Sequence, residues 1–550
     1  MSDTSTLSST LVAALSVVSV VYASYKIFGW ILYPLLFSLR DVRGPKAPSW
    51  FYGHIRTISY EGERNMLGDF GNTYGRIFKI RGFFNRPRLV ALDTRALSHI
   101  LSHHDDFVKP ERVRYTLGQV VGQGLLVVQG EQHKQQRRIM NPAFGPAQIR
   151  ELTAIFVDKS IELRNLWMSE LTSNGQNAID VMAWLNKMTL DVIGLAGFNY
   201  PFNALSPDGK SNEMNAAVRT MFAEPDGGRT RLTILQTVLP LLRLIPSESQ
   251  ARYRAAQNTM MRVGQELLAE KKNAILAGNA GHEHKMGRGA QEFQGRDLLS
   301  LLIKANMATD LPEGSRMVDH DVLAQIATFI VAGHETTSTA VTWALFALSN
   351  NLDTQTKLRK ELASLPTETP NMDELENLPY LDAVVRETLR LYSPVANTVR
   401  VAMKDDVIPT DEEWVDAKGV RRQGIRIKAG DEILIPIAAV NRLKALWGED
   451  AGKFKPERWE HTPNAVHSIP GIWGNSLAFL GGPRACIGYR FSVVEMKSLL
   501  FVLVRAFQFQ ATAAPEDFKI MSTIVQRPVL KSRVEQGPQM PLLVSTISAE

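Results

Sequence analysis

Runs in which apolar residues recur three and four positions apart dominate the chain. Asp180–Ala196, Ala251–Leu276, His320–Ser349 and Tyr380–Tyr392 carry this spacing, which puts their apolar side chains on one face and predicts helices. Period-two alternation is rarer. Arg76–Arg81 points Ile77, Phe78 and Ile80 into a strand pattern, and Arg88–Leu92 repeats the composition after a turn holding Asn85 and Pro87, so a β-hairpin is predicted. A second strand pair is predicted at Gly424–Lys428 and Glu432–Ile437, joined by Ala429-Gly430-Asp431. The expectation is a mainly α fold with small β-sheets. Residues 277–296 are Gly-rich and polar and read as an exposed loop, whose His282 and His284 lack the further ligands a metal site needs. Leu232–Pro246 is apolar apart from Arg243. It reads as a core helix or, in an anchored chain, as a membrane-dipping substrate portal.

The pattern at the amino terminus is different. Between Leu7 and Leu39, Lys26 is the only ionisable side chain other than tyrosine, and the run exceeds the roughly 20 apolar residues that span a bilayer. The residues before it hold Asp3 and no basic leader, which favours an uncleaved anchor over a signal peptide. Arg40, Arg43 and Lys46 follow at once, placing the rest of the chain on the cytosolic side. The predicted order is an anchor over 1–40, a proline-containing joint over 41–50 and one large domain over 51–550.

Composition narrows the chemistry. The 550 residues, 45% hydrophobic and 21% charged, are enough for a sizeable core. Lys and Arg exceed Asp and Glu by 62 to 56, with no long basic run, which argues against nucleic acid as a partner. The single cysteine, Cys486, excludes an intramolecular disulfide and any site built from paired cysteines.

That cysteine lies in Phe479-Leu480-Gly481-Gly482-Pro483-Arg484-Ala485-Cys486-Ile487-Gly488, just before a helical pattern from Tyr489 to Phe501. A sulfur at a helix start meets unsatisfied N–H groups and the positive end of the dipole, which favour the thiolate. With no second cysteine, one thiolate in a glycine-flanked loop suits an axial ligand to haem iron. Gly482 and Gly488 then let the backbone approach a flat macrocycle, Arg484 meets a propionate, and Phe479 shields the sulfur. The order Phe-x-x-Gly-x-Arg-x-Cys-x-Gly resembles the haem-binding signature of the cytochrome P-450 superfamily, and the motifs are similar to those of its membrane-anchored fungal members.

Other segments extend the resemblance from about residue 45 to 530. Ala332-Gly333-His334-Glu335-Thr336-Thr337 interrupts an apolar helix with polar residues. By itself it reads as side chains bonding back to the preceding turn. The resemblance implies instead that Ala332 and Gly333 make room for oxygen, Thr336 hydrogen-bonds it, and Glu335 relays protons. Glu387, Arg390 and Arg458 resemble the family's structural Glu-Arg-Arg triad, although Glu387 and Arg390 alone read as a surface helical pair. Arg137 and Arg400 match propionate-binding positions. His133 stands where the family commonly has Trp, and an imidazole can still donate a hydrogen bond.

The resemblance implies a haem-thiolate monooxygenase that carries haem b and oxidises a small lipophilic substrate, such as a terpenoid or another secondary-metabolite intermediate. NADPH serves indirectly, through a separate flavoprotein reductase docking near Lys134, Arg138 and Lys453. The expected location is the endoplasmic reticulum membrane. A haem-thiolate isomerase or dehydratase and a non-catalytic haem sensor are the alternatives. Substrate contacts are expected in His104–Leu125, Met214–Pro246, Pro394–Val399 and Met521–Pro528.

Overall fold

The computed structural model describes residues 38–547 apart from 59–64, 172–174, 207–211, 223–230, 239, 277–295, 308–315 and 523, and only Val17 and Val21 before them. The predicted anchor up to residue 37 and the polar loop up to 295 therefore lie outside the described residues. Among the described residues no helix is long and apolar enough to cross a membrane.

The fold is mainly helical with small sheets. The helices that bear on the site are α1 (Thr94–Ser102), α2 (Glu111–Val121), α3 (Gly130–Met140), α4 (Pro146–Glu170), α5 (Val181–Phe198), α6 (Arg231–Val238), α7 (Glu248–Leu276), α8 (Asp319–Ser349), α9 (Pro379–Leu391) and α10 (Tyr489–Ala506). Local chemistry sets several ends. The Asp180 carboxylate accepts from Ala183 N–H at the start of α5, and Asn199 ends that helix in the left-handed conformation with φ of 51°. Pro379 opens α9, where its missing N–H costs nothing. The 31-residue α8 is buried along most of its length and packs on α5, α9 and α10, while α10 also lies on α4. Apolar stripes alone would not predict this. An all-round apolar helix such as α8 belongs at the centre.

A five-stranded sheet forms the second core. Its strands are β1 (Ile77–Arg81), β2 (Pro87–Ala91), β3 (Phe107–Val108), β4 (Thr398–Ala402) and, beyond β5 (Asp406–Ile408) and β6 (Ile425–Ile427), β7 (Glu432–Ile435). The order is β1-β2-β7-β4-β3, with β2 and β7 parallel and the other pairs antiparallel. The predicted first hairpin is present as β1–β2. The second is corrected: β6 pairs with β5, and β7 enters the large sheet instead. Ile433, Leu434 and Ile435 are all buried, so β7 needs neighbours on both faces and both edges, which a two-stranded hairpin lacks. The turn between them is redirected by Gly430, with φ of 91°, whose N–H donates to Ala402 O, while the Asp431 carboxylate accepts from Lys428 N–H. A last hairpin, β8 (Phe518–Ser522) with β9 (Gln526–Leu530), pairs Met521 with Arg527.

Residues 39–43 run beside β1: Lys79 N–H donates to Arg43 O, and Leu39 and Val42 are buried. One further expectation changes. The Leu232–Pro246 segment is not a core helix. Pro240 cannot supply a helical N–H, so α6 stops at Val238 and a 3-10 turn over Pro240–Leu244 leaves Leu241 82% and Leu244 84% exposed. Arg243 holds this turn to α2 through a bidentate pair with Glu111 at 2.6 and 3.0 Å and lies over the Tyr115 ring.

Candidate active site

The cysteine loop is closed on itself before it meets anything else. Cys486 N–H donates to Phe479 O at 2.9 Å, and Phe479 packs edge-on against Trp473 and beside Tyr489, the first residue of α10. Two glycines admit neighbouring backbone. A Cβ on Gly481 would sit 1.7 Å from Pro470 O, and one on Gly482, whose φ is 68°, would sit 2.3 Å from Leu101 O in α1. The structure thus requires Gly482 for close packing against α1, a reason the linear motif does not reveal. A Cβ on Gly488 would make ordinary contact with Phe144 at 3.6 Å.

Cys486 keeps an open face. Protein packed around the sulfur pushes the thiol up, and the Gly488 N–H and the Arg137 charge pull it down by less. A cationic partner at the open face would pull it down further.

Around the loop, basic groups arrive from four separate parts of the chain. Arg484 donates to Val128 O and Gln129 Oε1, Arg137 in α3 donates to Ala485 O, and Arg400 in β4 donates to Thr398 Oγ1 and Val399 O. Lys109, between β3 and α2, donates to Leu126 O at 2.7 Å. None of these four forms an ion pair with a carboxylate among the described residues. Burial and mutual repulsion hold Lys109 down at about 7 and Arg400 and Arg484 down at about 10. His133 on α3 is buried, its Nδ1 meets no partner, and burial with the charges of Arg484, Arg137, Lys109 and His104 lowers it to about 3. Arg400 is fully inside, not a surface arginine. Such a cluster is complementary to buried anions.

On α8, Ala332, Gly333 and Thr336 are half-buried while His334, Glu335 and Thr337 are buried. Ala332 and Thr336 stand one turn apart on one face. Thr336 Oγ1 donates back to Ala332 O at 2.7 Å, which leaves its lone pairs to accept. Gly333 faces the crossing with α5, where a Cβ would lie 2.9 Å from Ile193 Cδ1. Thr337 Oγ1 lies 3.1 Å from Ser492 Oγ, one turn into α10, which ties this polar stretch to the helix that begins behind Cys486. Glu335 is not free in solvent: it is ion-paired with Arg527 of β9.

Glu387, Arg390 and Arg458 are fully or almost fully buried, so the surface-pair reading fails. Glu387 binds Arg390 at 2.8 Å through both oxygens and Arg458 at 3.4 Å, and accepts from Trp459 Nε1 and Lys455 N–H. Arg390 donates to the carbonyls of Asn441 and Ala451, and Arg458 to those of Trp447 and Asp450. Removing one member of so buried a set leaves an unpaired charge, which costs about 3–5 kcal/mol.

The profile of the family described as Cytochrome P450 matches residues 42–532. The chain belongs to the cytochrome P450 family. It is 52% identical over 533 residues to cytochrome P450 monooxygenase 205 of Postia placenta, covering 96% of this chain and 97% of that one. It is 50% identical to cytochrome P450 monooxygenase 128 of the same fungus, with 95% of each covered. Cytochrome P450 monooxygenase claO of Ampulloclitocybe clavipes is 35% identical over 95% of this chain and 97% of its own. The protein is an oxidoreductase of the monooxygenase type, and its cofactor is haem b.

The residues present fit that group. An open-faced sulfur suits the iron of this P450, and four buried or half-buried cations that form no ion pair among the described residues, with the unpartnered His133 Nδ1 beside them, suit the two propionates of haem b. Lys109 was not apparent in the sequence, because a lone lysine before Pro110 carries no motif. Arg527 was missed for the same reason: its partner is 192 positions away along the chain.

Lys109→Met separates the two states of this cluster. Lys109 is held below its ordinary range in the haem-free protein, so the unfolded chain binds the extra proton and stability rises with pH from about 7 toward the ordinary lysine value. Removing the amine should raise the haem-free melting temperature at pH 7 and abolish that pH-dependent rise. With haem bound, losing a charge-assisted hydrogen bond of about 2 kcal/mol should speed haem transfer to a scavenger protein roughly thirtyfold. Unchanged transfer would show that Lys109 does not face a propionate.

Proposed function

We propose that this P450 hydroxylates, or otherwise oxidises, a small lipophilic molecule, with a terpenoid or another secondary-metabolite intermediate as the first class to test. The observation that carries the reading is the placement of Cys486 at the start of α10, tied through Ser492 and Thr337 to the polar face of α8. Overall, NADPH, a proton, O2 and the substrate R–H give NADP+, water and R–OH. Both electrons come from NADPH through a separate flavoprotein reductase. Haem b, when bound, supplies the activation of O2. In this reading Cys486 Sγ is its thiolate ligand, and His133, Arg137, Arg400, Arg484 and Lys109 hold the propionates. Phe479 and Gly488 border the sulfur and limit its access to water. Thr336 Oγ1, braced on Ala332 O, orients a proton donor on the half-buried face of α8. Glu335 receives protons at its carboxylate and passes them inward. Arg138 and Lys453 are exposed for reductase docking, whereas Lys134 already shares its charge with Glu131 and Asp105.

Residues 1–40 anchor the protein in the endoplasmic reticulum membrane with the body in the cytosol, and exposed Leu241 and Leu244 provide a second, weaker contact with lipid.

Reduced protein with carbon monoxide should give the Soret band of thiolate ligation, and Cys486→Ala should lose it. Feeding candidate terpenoids, steroids and fatty acids to a reductase-containing host should yield oxidised products that need both NADPH and O2. Product without reductant would favour an isomerase or dehydratase, and no turnover of any candidate a sensor.

Thr336→Ala should keep the carbon monoxide band and NADPH consumption while more reducing equivalents leave as hydrogen peroxide. Equal product per NADPH in both proteins would reduce Thr336 to a helix back-bonding residue.

Deleting residues 1–40 should move most of the protein from the membrane pellet to the supernatant with haem still bound. A truncated protein that no longer binds haem would refute the separation of anchor and catalytic body.

A further inference from the structure

Glu335 is buried in the middle of α8, and a carboxylate out of water needs a partner. His334 beside it is held down at about 4 by burial and by the charge of Arg527, so it stays neutral. The positive charge that meets Glu335 is the guanidinium of Arg527, itself buried. Arg527 is carried by β9, and that strand is fixed to the helix it serves. Trp343 Nε1, two turns beyond Glu335 on α8, donates to Gln526 O at 3.0 Å, and Gln526 N–H donates to Pro394 O at 2.7 Å. Trp343 is stacked on Tyr392, with centroids 5.1 Å apart and rings 7° from parallel. The guanidinium therefore reaches Glu335 from a strand locked in register with α8.

We propose that Arg527 is a positioning residue for proton delivery: it fixes the Glu335 carboxylate in place on α8 and makes its orientation depend on the β8–β9 hairpin. This rests on the reading of Glu335 as the proton relay. A flexible carboxylate in water finds its own geometry, whereas a buried one takes the geometry of its partner. The hairpin and the Pro394 segment border the expected substrate side, so the same hydrogen bonds that hold Arg527 join that side to the relay.

The test needs no knowledge of the substrate. Full-length protein with bound haem is combined with an NADPH-flavoprotein reductase in the absence of added substrate. Two electrons and two protons per O2 then leave as one hydrogen peroxide, or four of each as two waters, and the division between them reads proton supply. Peroxide per NADPH and the ratio of NADPH oxidation rates in H2O and D2O are measured for wild type, Glu335→Gln, Arg527→Gln, Arg527→Lys and the Glu335→Gln/Arg527→Gln double variant. Arg527→Gln should move both readouts in the same direction as Glu335→Gln, roughly two- to fivefold in the solvent isotope ratio. The double variant should match Glu335→Gln alone, because a positioning residue has nothing left to position. A merely structural arginine would instead add its own peroxide leak to that of Glu335→Gln, and that additivity would overturn the proposal. Wild-type values in Arg527→Gln beside altered values in Glu335→Gln would overturn it while leaving the relay intact. Wild-type values in Glu335→Gln would remove the relay and the proposal together. If Arg527→Gln does not bind haem, Arg527→Lys, which keeps the charge and loses the planar fork, carries the test: an altered isotope ratio supports the proposal and a wild-type ratio overturns it.

Discussion

Lys109, Arg137, Arg400 and Arg484 are buried or half-buried around one cysteine, none of them ion-paired with a carboxylate among the described residues, and most of the site's design follows from that arrangement. Like charges at low dielectric repel, and each buried cation has lost its hydration. Backbone carbonyls offset part of this: Leu126, Val128, Ala485 and Val399 each accept from one member. What remains is a field that favours an anionic cofactor and a sulfur that needs a cationic one, and haem b satisfies both through its propionates and its iron.

A field of this kind is useful only on a rigid frame. The Glu387, Arg390 and Arg458 set supplies one, because its guanidiniums are spent on the carbonyls of Asn441, Trp447, Asp450 and Ala451. It stitches α9 to the irregular segment that leads to the cysteine loop. The loop's glycines do a related job, letting Pro470 and Leu101 approach so closely that no side chain fits. On the other side, α8 gives up apolar packing at Glu335 and Thr336, and the Arg527 pair and the bonds to α5 and α10 make that interruption tolerable. Ser338 Oγ donates to Asn186 Oδ1, and Thr189 Oγ1 donates to His334 O.

Long periodic helices, the first hairpin and the cysteine loop were legible along the chain, since each depends on neighbours within about one turn or on a contiguous motif, whereas Glu387 and Arg458, 71 positions apart, were joined only by the family resemblance. The second hairpin was not. Two short strands flanking a turn pair by default, and nothing local says that β7 is wanted between β2 and β4, more than 300 residues from one of them. The Leu232–Pro246 segment misled for a similar reason: its composition is that of a core helix, but Pro240 divides it and Arg243 fastens it to α2 at the surface.

Residue order by itself determined the fold class, the single thiolate donor and the identity of the polar interruption in α8, because a motif is a statement about adjacent residues. Packing decided the rest. It made Gly333 and Gly482 points of close approach, recruited Lys109 to the basic cluster and set Arg527 on Glu335. These effects depend on distance and dielectric in space, and two residues far apart in the chain carry no local mark of meeting.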